Sequence, residues 1–105
     1  MSGISTHVLD TARGRPAAGI KVYLFSSDAA IGSGITDEDG RLRGLLPDGA
    51  TLKPGSYRML FEIGDYFPQG FYPEISVSFA VRDDAAHYHV PLLISPFGYT
   101  TYRGA

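Results

Sequence analysis

The stretch Glu74–Val81, EISVSFAV, decides the fold class because its large apolar and its small residues alternate strictly. Such a period of two is typical of a β-strand with one buried face. The stretch 56–63, SYRMLFEI, repeats the pattern. The residues predicted to share a buried face are Ile75, Val77, Phe79 and Val81 in the first stretch, and Tyr57, Met59, Phe61 and Ile63 in the second.

Further apolar runs and regularly spaced turns extend this prediction to the whole chain. IKVYLF (20–25) and HVPLLI (89–94) suit more fully covered strands. The turn clusters RGRPAAG, TDEDG, PDGATLKPG and SPFG recur about once every ten residues, as expected for a sandwich or barrel. In Gly64–Pro73, the residues Pro68, Gly70 and Pro73 leave room for at most one helical turn. Strands are predicted at 3–9, 20–25, 31–36, 41–46, 56–63, 74–82, 86–94 and 97–103.

Length and composition exclude several classes of protein. A chain of 105 residues predicts a single domain, 1–105. The net charge of -2, with nine basic residues spread along the chain, argues against a nucleic-acid surface. Without cysteine there are no disulfides and no thiolate metal sites. Because no signal peptide or membrane span is evident, we expect a cytoplasmic protein with no membrane partner.

The three histidines and two arginines are the candidate site residues. On a strand, His87 and His89 point to the same side, and a zinc site with His7 as third ligand is one interpretation. Two solvated or core-edge histidines are the interpretation that spacing alone favours, because no acidic fourth ligand is visible. His7 shares a predicted strand face with Ser5 and Leu9. Arg41 and Arg43 share a face after TDEDG, whose spacing suits a tight turn with Gly40 at positive φ better than a calcium loop.

Several segments together resemble the 5-hydroxyisourate hydrolases, the transthyretin-like enzymes of urate breakdown. The resemblance covers nearly the whole chain. Its segments are ISTHVLD, GRPAAGIKVYL, ITDEDGRLRGLL, GSYRMLFEIGDYF, FYPEISVSF and HYHVPLLISPFGYTTYRGA. The last is the most specific, because these enzymes characteristically end in Tyr-Arg-Gly-Ser. This chain departs from them by carrying Ala105 in place of Ser and by a shorter segment at Gly64–Pro73.

The resemblance implies an all-β, prealbumin-like β-sandwich of two four-stranded sheets that assembles as a homotetramer. It implies hydrolysis of 5-hydroxyisourate, a small molecule, to 2-oxo-4-hydroxy-4-carboxy-5-ureidoimidazoline, with no cofactor and no metal. A transthyretin-like carrier or a prealbumin-like binding module without catalysis is the alternative. The implied catalytic residues are His7, Arg41 and His89, and the implied substrate contacts add Tyr102, Arg103 and the terminal carboxylate of Ala105.

The implied reaction suits these side chains. Opening a ring amide requires an activated water, stabilisation of an oxyanion and delivery of a proton to the departing nitrogen. Two histidines that titrate near neutral pH can act as base and acid, although the sequence leaves open which is which. Arg41 offers a rigid set of donors to carbonyl groups, and Tyr102 can stack or donate. With no cysteine and no serine nucleophile elbow, direct attack by water is favoured over an acyl-enzyme.

Overall fold

The computed structural model describes residues 3–105, which form two packed β-sheets. Over that range there are nine strands and no helix, including none long and apolar enough to cross a membrane. The strands are β1 (Gly3–Asp10), β2 (Arg15–Pro16), β3 (Lys21–Ser26), β4 (Ala29–Ile35), β5 (Arg41–Leu42), β6 (Gly55–Glu62), β7 (Glu74–Val81), β8 (His87–Ser95) and β9 (Gly98–Thr101).

Two sheets of four strand positions each make up the sandwich. One sheet has the order β4-β3-β6-β7 and is antiparallel throughout. The other has the order β2-β1-β8-β9, and β5 joins β2 on the same edge of β1. Strands β1 and β8 pair in parallel along their whole common length. The predicted all-β sandwich of two four-stranded sheets is therefore confirmed, with the fourth position of one sheet shared by two short strands.

The buried faces follow the alternation that the sequence predicts. Along β6 and just beyond it, the odd-numbered residues are buried and form the centre of the core, namely Tyr57, Met59, Phe61 and Ile63. In β7, Ile75 and Val81 are buried, whereas Val77 and Phe79 are only half-buried because β7 is an edge strand. Burying one such side chain contributes about 1.5–3 kcal/mol, so this alternation accounts for much of the driving force.

The predicted strand 41–46 is wrong beyond its second residue. The chain leaves the sheet after Leu42, and Leu45 turns into the core, where it is 1% exposed. Its backbone passes so close to β4 that a Cβ on Gly32 would overlap the Leu45 carbonyl oxygen. The apolar residues at 45 and 46 therefore fill the space between the sheets instead of extending a strand.

The turns also differ in detail from the prediction. The hairpin between β3 and β4 turns at Ser27 and Asp28, both at positive φ, a site that carries no glycine or proline signal. The segment 64–73 contains one helical turn, in which the Phe67 N–H donates to the Ile63 carbonyl over 2.9 Å. That agrees with the predicted limit of a single turn. The short strand β2 was not predicted at all.

Candidate active site

Parallel pairing of β1 and β8 places three polar side chains next to one another. Gly3 lies opposite His87 and Ser5 opposite His89 in the register of the two strands. Ile4 and Thr6, which flank Ser5 on β1, are almost completely buried. Ser5, His87 and His89 consequently share the outer face of this sheet, as the alternation of each strand predicts.

The hydroxyl of Ser5 bridges the two histidines of β8. Its Oγ lies 2.8 Å from Nε2 of His87 and 2.8 Å from Nδ1 of His89. Ser5 is 5% exposed and His89 is partly buried, whereas His87 is exposed. Among residues 3–105, no protein partner takes the remaining ring nitrogen of His89, Nε2, so this atom is free to meet a ligand.

A tight turn before β5 positions Arg41. The carboxylate of Asp37 accepts hydrogen bonds from the N–H groups of Asp39 and Arg41, each over 2.9 Å. Gly40 has a φ of 75°, and its carbonyl accepts from the Val8 N–H over 2.7 Å. These contacts confirm that TDEDG is a turn. They hold Arg41 opposite the strand position of His7 on β1.

The same turn fixes the ring of His7. Nε2 of His7 lies 2.8 Å from the carbonyl oxygen of Asp39. A carbonyl only accepts, so Nε2 carries the proton in this contact. In a neutral His7 ring, Nδ1 is therefore the nitrogen with the free lone pair, and it is the atom left for proton exchange.

A pocket of about 250 Å³ lies on the outer face of this sheet, next to the turn that holds Arg41. Arg41, Arg43, His87, His89, Ser5, Thr6 and Ala105 line it. Two guanidinium groups give the pocket a positive field that suits carbonyl-rich or anionic small molecules. His7 lies beside the pocket rather than in its lining.

The segment after β9 folds over His89. The Gly104 N–H donates to the His89 carbonyl over 2.8 Å, and this bond brings Ala105 into the pocket. A Cβ built on Gly104 would lie only 2.5 Å from Cδ2 of the His89 ring. The predicted strand 97–103 thus ends early, at Thr101, because its last residues cover β8 instead of continuing β9.

Tyr102 and Arg103 lie on the far side of His89. They line a second depression together with residues of β7, and the Arg103 guanidinium carbon stands 4.7 Å from the centre of the Tyr88 ring. Tyr102 is 56% exposed. The fold therefore gathers Arg41, His89 and Ala105 in one pocket with His7 adjacent, but within this chain Tyr102 and Arg103 stand outside it.

Burial lowers the pKa of His89 below the ordinary value for histidine. The neighbouring positive charges of His7, His87 and Arg41 lower this pKa further. Burial and nearby positive charge both make a positive charge on the His89 ring less favourable. His89 is therefore held neutral near pH 7 with a lone pair available, which is the state a general base requires.

The zinc interpretation finds no matching geometry in the part of the chain that the structure describes. No group of three or more histidine, cysteine, aspartate or glutamate side chains is arranged to hold a metal ion there. The facing nitrogens of His87 and His89 instead share the Ser5 hydroxyl.

Residues 4–104 match the sequence model of the HIUase/Transthyretin family. The chain belongs to this family. A 5-hydroxyisourate hydrolase of Salmonella typhimurium is 43% identical over 110 residues, covering 97% of this chain and 80% of the relative. The fold of the Klebsiella pneumoniae 5-hydroxyisourate hydrolase superposes with a TM-score of 0.88 at 33% identity and covers all of both chains. Sea bream transthyretin in complex with thyroxine gives a TM-score of 0.87 at 26% identity, over 98% of this chain and 95% of that one.

Membership confirms the resemblance inferred from the sequence segments. Because an enzyme and a hormone-binding protein share this fold almost equally well, the fold by itself does not choose between catalysis and carriage. The choice depends on the side chains of the pocket.

The resemblance assigned no role to four residues that line the pocket: Ser5, Thr6, Arg43 and His87. Three of them carry a local signal in the sequence, since Ser5 shares a strand face with His7, Arg43 with Arg41, and His87 with His89. What the sequence could not supply is the parallel pairing of β1 with β8, which brings residues 82 and 84 positions apart into contact.

Proposed function

We propose that this chain hydrolyses 5-hydroxyisourate to 2-oxo-4-hydroxy-4-carboxy-5-ureidoimidazoline, a step of urate degradation. The observation that carries the proposal is the pocket itself, in which a neutral, partly buried imidazole faces two guanidinium groups. Family membership and relatives named as 5-hydroxyisourate hydrolases support it. A carrier has no need for titratable side chains at this position.

In the proposed mechanism, His89 is the general base. Its Nε2 removes a proton from a water molecule, and that water attacks the ring amide carbon. The lowered pKa of His89 favours the neutral form that this step needs. Direct attack by water needs neither a covalent intermediate nor a metal.

Arg41 and His7 have complementary roles in this proposal. The guanidinium of Arg41 holds the substrate carbonyls and stabilises the oxyanion that develops on the attacked carbon. His7, with Nε2–H committed to Asp39, delivers a proton from Nδ1 to the departing ring nitrogen. It does so as the imidazolium, after Nδ1 has taken up a proton from solvent, and it returns to the neutral ring. The further substrate contacts in this proposal are Ala105, through its terminal carboxylate, and Tyr102 and Arg103, although the last two lie outside the pocket of a single chain.

The test is to generate 5-hydroxyisourate from urate with urate oxidase and to follow its ultraviolet absorbance with and without the protein. We expect decay well above the spontaneous rate. His7→Ala and His89→Ala should each lower kcat by about 10²–10⁴-fold, the usual contribution of a general acid or base. Circular dichroism and thermal unfolding of each variant serve as controls for folding. If the wild-type protein does not accelerate decay, the chain is not this hydrolase, and a carrier or binding module takes its place.

A further inference from the structure

We propose that Ser5 and His87 form a proton path that connects His89 to solvent. The inference rests on the proposed function, because it assigns His89 the role of base. It starts from one buried hydroxyl placed 2.8 Å from a ring nitrogen of each histidine. Both rings line the pocket, but His87 is exposed to solvent whereas His89 is partly buried beside Arg41.

The chemistry of the bridge restricts where its protons lie. A serine hydroxyl donates one hydrogen bond and accepts others. The two rings are the hydrogen-bond partners of this hydroxyl among residues 3–105, so its own proton is donated to one of them. The nitrogen that accepts it carries no proton, and the other facing nitrogen carries one and donates to the oxygen. Two neutral arrangements satisfy this rule. In one, His89 donates from Nδ1 and Ser5 donates to His87. In the other, His87 donates from Nε2 and Ser5 donates to His89.

The first arrangement leaves the Nε2 lone pair of His89 facing the pocket, which is the state that can accept a proton. When water loses a proton to Nε2, the Nδ1 proton of His89 passes to Ser5 Oγ, and the Ser5 proton passes to Nε2 of His87. His89 ends neutral, in its Nε2–H form, and His87 ends as an imidazolium. His87 then releases the proton on its Nδ1 to water. After the product has left, Nε2 of His89 gives up its proton to solvent in the open pocket and Nδ1 of His87 takes one up, so the bridge returns to its first state with no net change in its own protons.

The reaction and the surrounding charges both favour such a path. Hydrolysis of an amide to a carboxylate and a weakly basic nitrogen releases one proton at neutral pH, which must leave the site. The groups facing His89 are His7 from β1, Arg41 from β5, Arg43 just after it, His87 from its own strand, and Ala105 from the segment after β9. Because His89 is partly buried and two guanidinium groups lie in the same pocket, a positive charge on His89 is unfavourable, whereas on exposed His87 water solvates the charge.

The bridge can be tested without substrate by nitrogen-15 NMR of histidine-labelled protein. Long-range proton–nitrogen couplings report which ring nitrogen is protonated. We expect unlike protonation at Nδ1 of His89 and Nε2 of His87 in the wild type, and we expect Ser5→Ala to abolish this relation and to shift the pKa of His89. Ser5→Thr retains the hydroxyl and should preserve both. Unchanged tautomers and an unchanged titration in Ser5→Ala would refute the bridge, whatever the activity.

Kinetics then test whether the bridge carries protons. Ser5→Ala and His87→Ala should each lower kcat by about ten- to a hundredfold, less than loss of the base itself, with little change in KM. The double variant should be no slower than either single variant, because both interrupt one path. Added imidazole buffer should restore activity to His87→Ala but not to His89→Ala. Ser33→Ala, an exposed strand serine of the other sheet, is the matched control.

Each contrary result has a definite meaning. Additive losses in the double variant, or no response to imidazole, would overturn the path. If Ser5→Ala lost as much activity as His89→Ala and the wild type showed a burst of product, Ser5 would be a nucleophile and the path would be wrong. A wild-type protein without hydrolase activity would refute the proposed function, and the NMR experiment would still decide the bridge separately.

Discussion

Gly104→Ala should damage the candidate site without removing any chemical group from it. Gly104 carries a hydrogen that faces the ring of His89, and a Cβ there would lie 2.5 Å from Cδ2 and 3.2 Å from Cγ of that ring. The same Cβ would also lie 3.3 Å from Cγ of Pro91. The backbone of Gly104 is not at positive φ, so the substitution acts through contact rather than through backbone strain.

The expected magnitude follows from the size of this overlap. Carbon atoms in comfortable contact are about 3.5–4.0 Å apart, so the ring or the segment 103–105 must move by about 1 Å or more. The ring is held by Ser5 on one side, and the segment by its bond to the His89 carbonyl. Either movement disturbs the pocket, and a misplacement of about 1 Å can cost about 10²-fold in rate. We expect kcat/KM to fall by about 10–10²-fold.

The assay is the ultraviolet decay of freshly made 5-hydroxyisourate, with thermal unfolding measured in parallel. Gly44→Ala is the matched control, because a Cβ at Gly44 would have nothing within 4 Å and the residue lies outside the pocket lining. It should leave activity unchanged. If Gly104→Ala were as active as Gly44→Ala, residues 103–105 would not pack on His89 in solution, and the account of this wall of the pocket would fail.

Three further predictions concern the charge, the wall and the assembly of the site. Because burial and nearby positive charge lower the pKa of His89, the acid limb of kcat/KM should lie below pH 6.5, about the ordinary pKa of histidine. Arg41→Gln should move the His89 titration, followed by NMR, to higher pH, whereas Arg15→Gln should not. Ala105→Ser adds a hydroxyl to the pocket and should raise kcat/KM by no more than about tenfold, the worth of one neutral hydrogen bond; a gain of several hundredfold would make that hydroxyl catalytic. The exposed aromatic side chains Phe71, Phe97 and Tyr99, near the uncovered edge strand β9, predict a homotetramer. Light scattering that finds an 11.3 kDa particle at micromolar concentration would contradict it.

Strand positions could be predicted where one face of a strand meets the core, because burial then imposes a period of two. β6 and β7 were found in this way, and their observed ends differ from the predicted ones by no more than one residue. The same rule failed at Leu45, which is apolar for a different reason, namely that it fills the sandwich from a loop. It also failed at Ser27 and Asp28, where a hairpin turn uses residues without a strong turn signal.

The candidate site could be predicted only in part from local patterns. Alternation correctly put His87 and His89 on one face, and the turn at TDEDG correctly preceded Arg41. Neither pattern could show that Ser5 lies between the two imidazoles, because that contact depends on how two strands distant in sequence pair with each other. Family resemblance assigned roles to His7, Arg41 and His89 and none to His87, and it did not show the tautomer that the Asp39 carbonyl imposes on His7.

The register of β1 against β8 is the structural feature on which the site depends most. A slip of one residue would turn His87 and His89 toward the core and Tyr88 toward the pocket, because side chains alternate along a strand. Tyr88 is anchored against this slip: its hydroxyl accepts from the Asp83 N–H over 2.9 Å and donates to the Asp83 carbonyl over 3.0 Å. The Thr6 hydroxyl adds a second anchor by donating to the Val90 carbonyl over 2.6 Å. Polar contacts made by residues with no proposed catalytic role therefore help to determine which side of the sheet carries the chemistry.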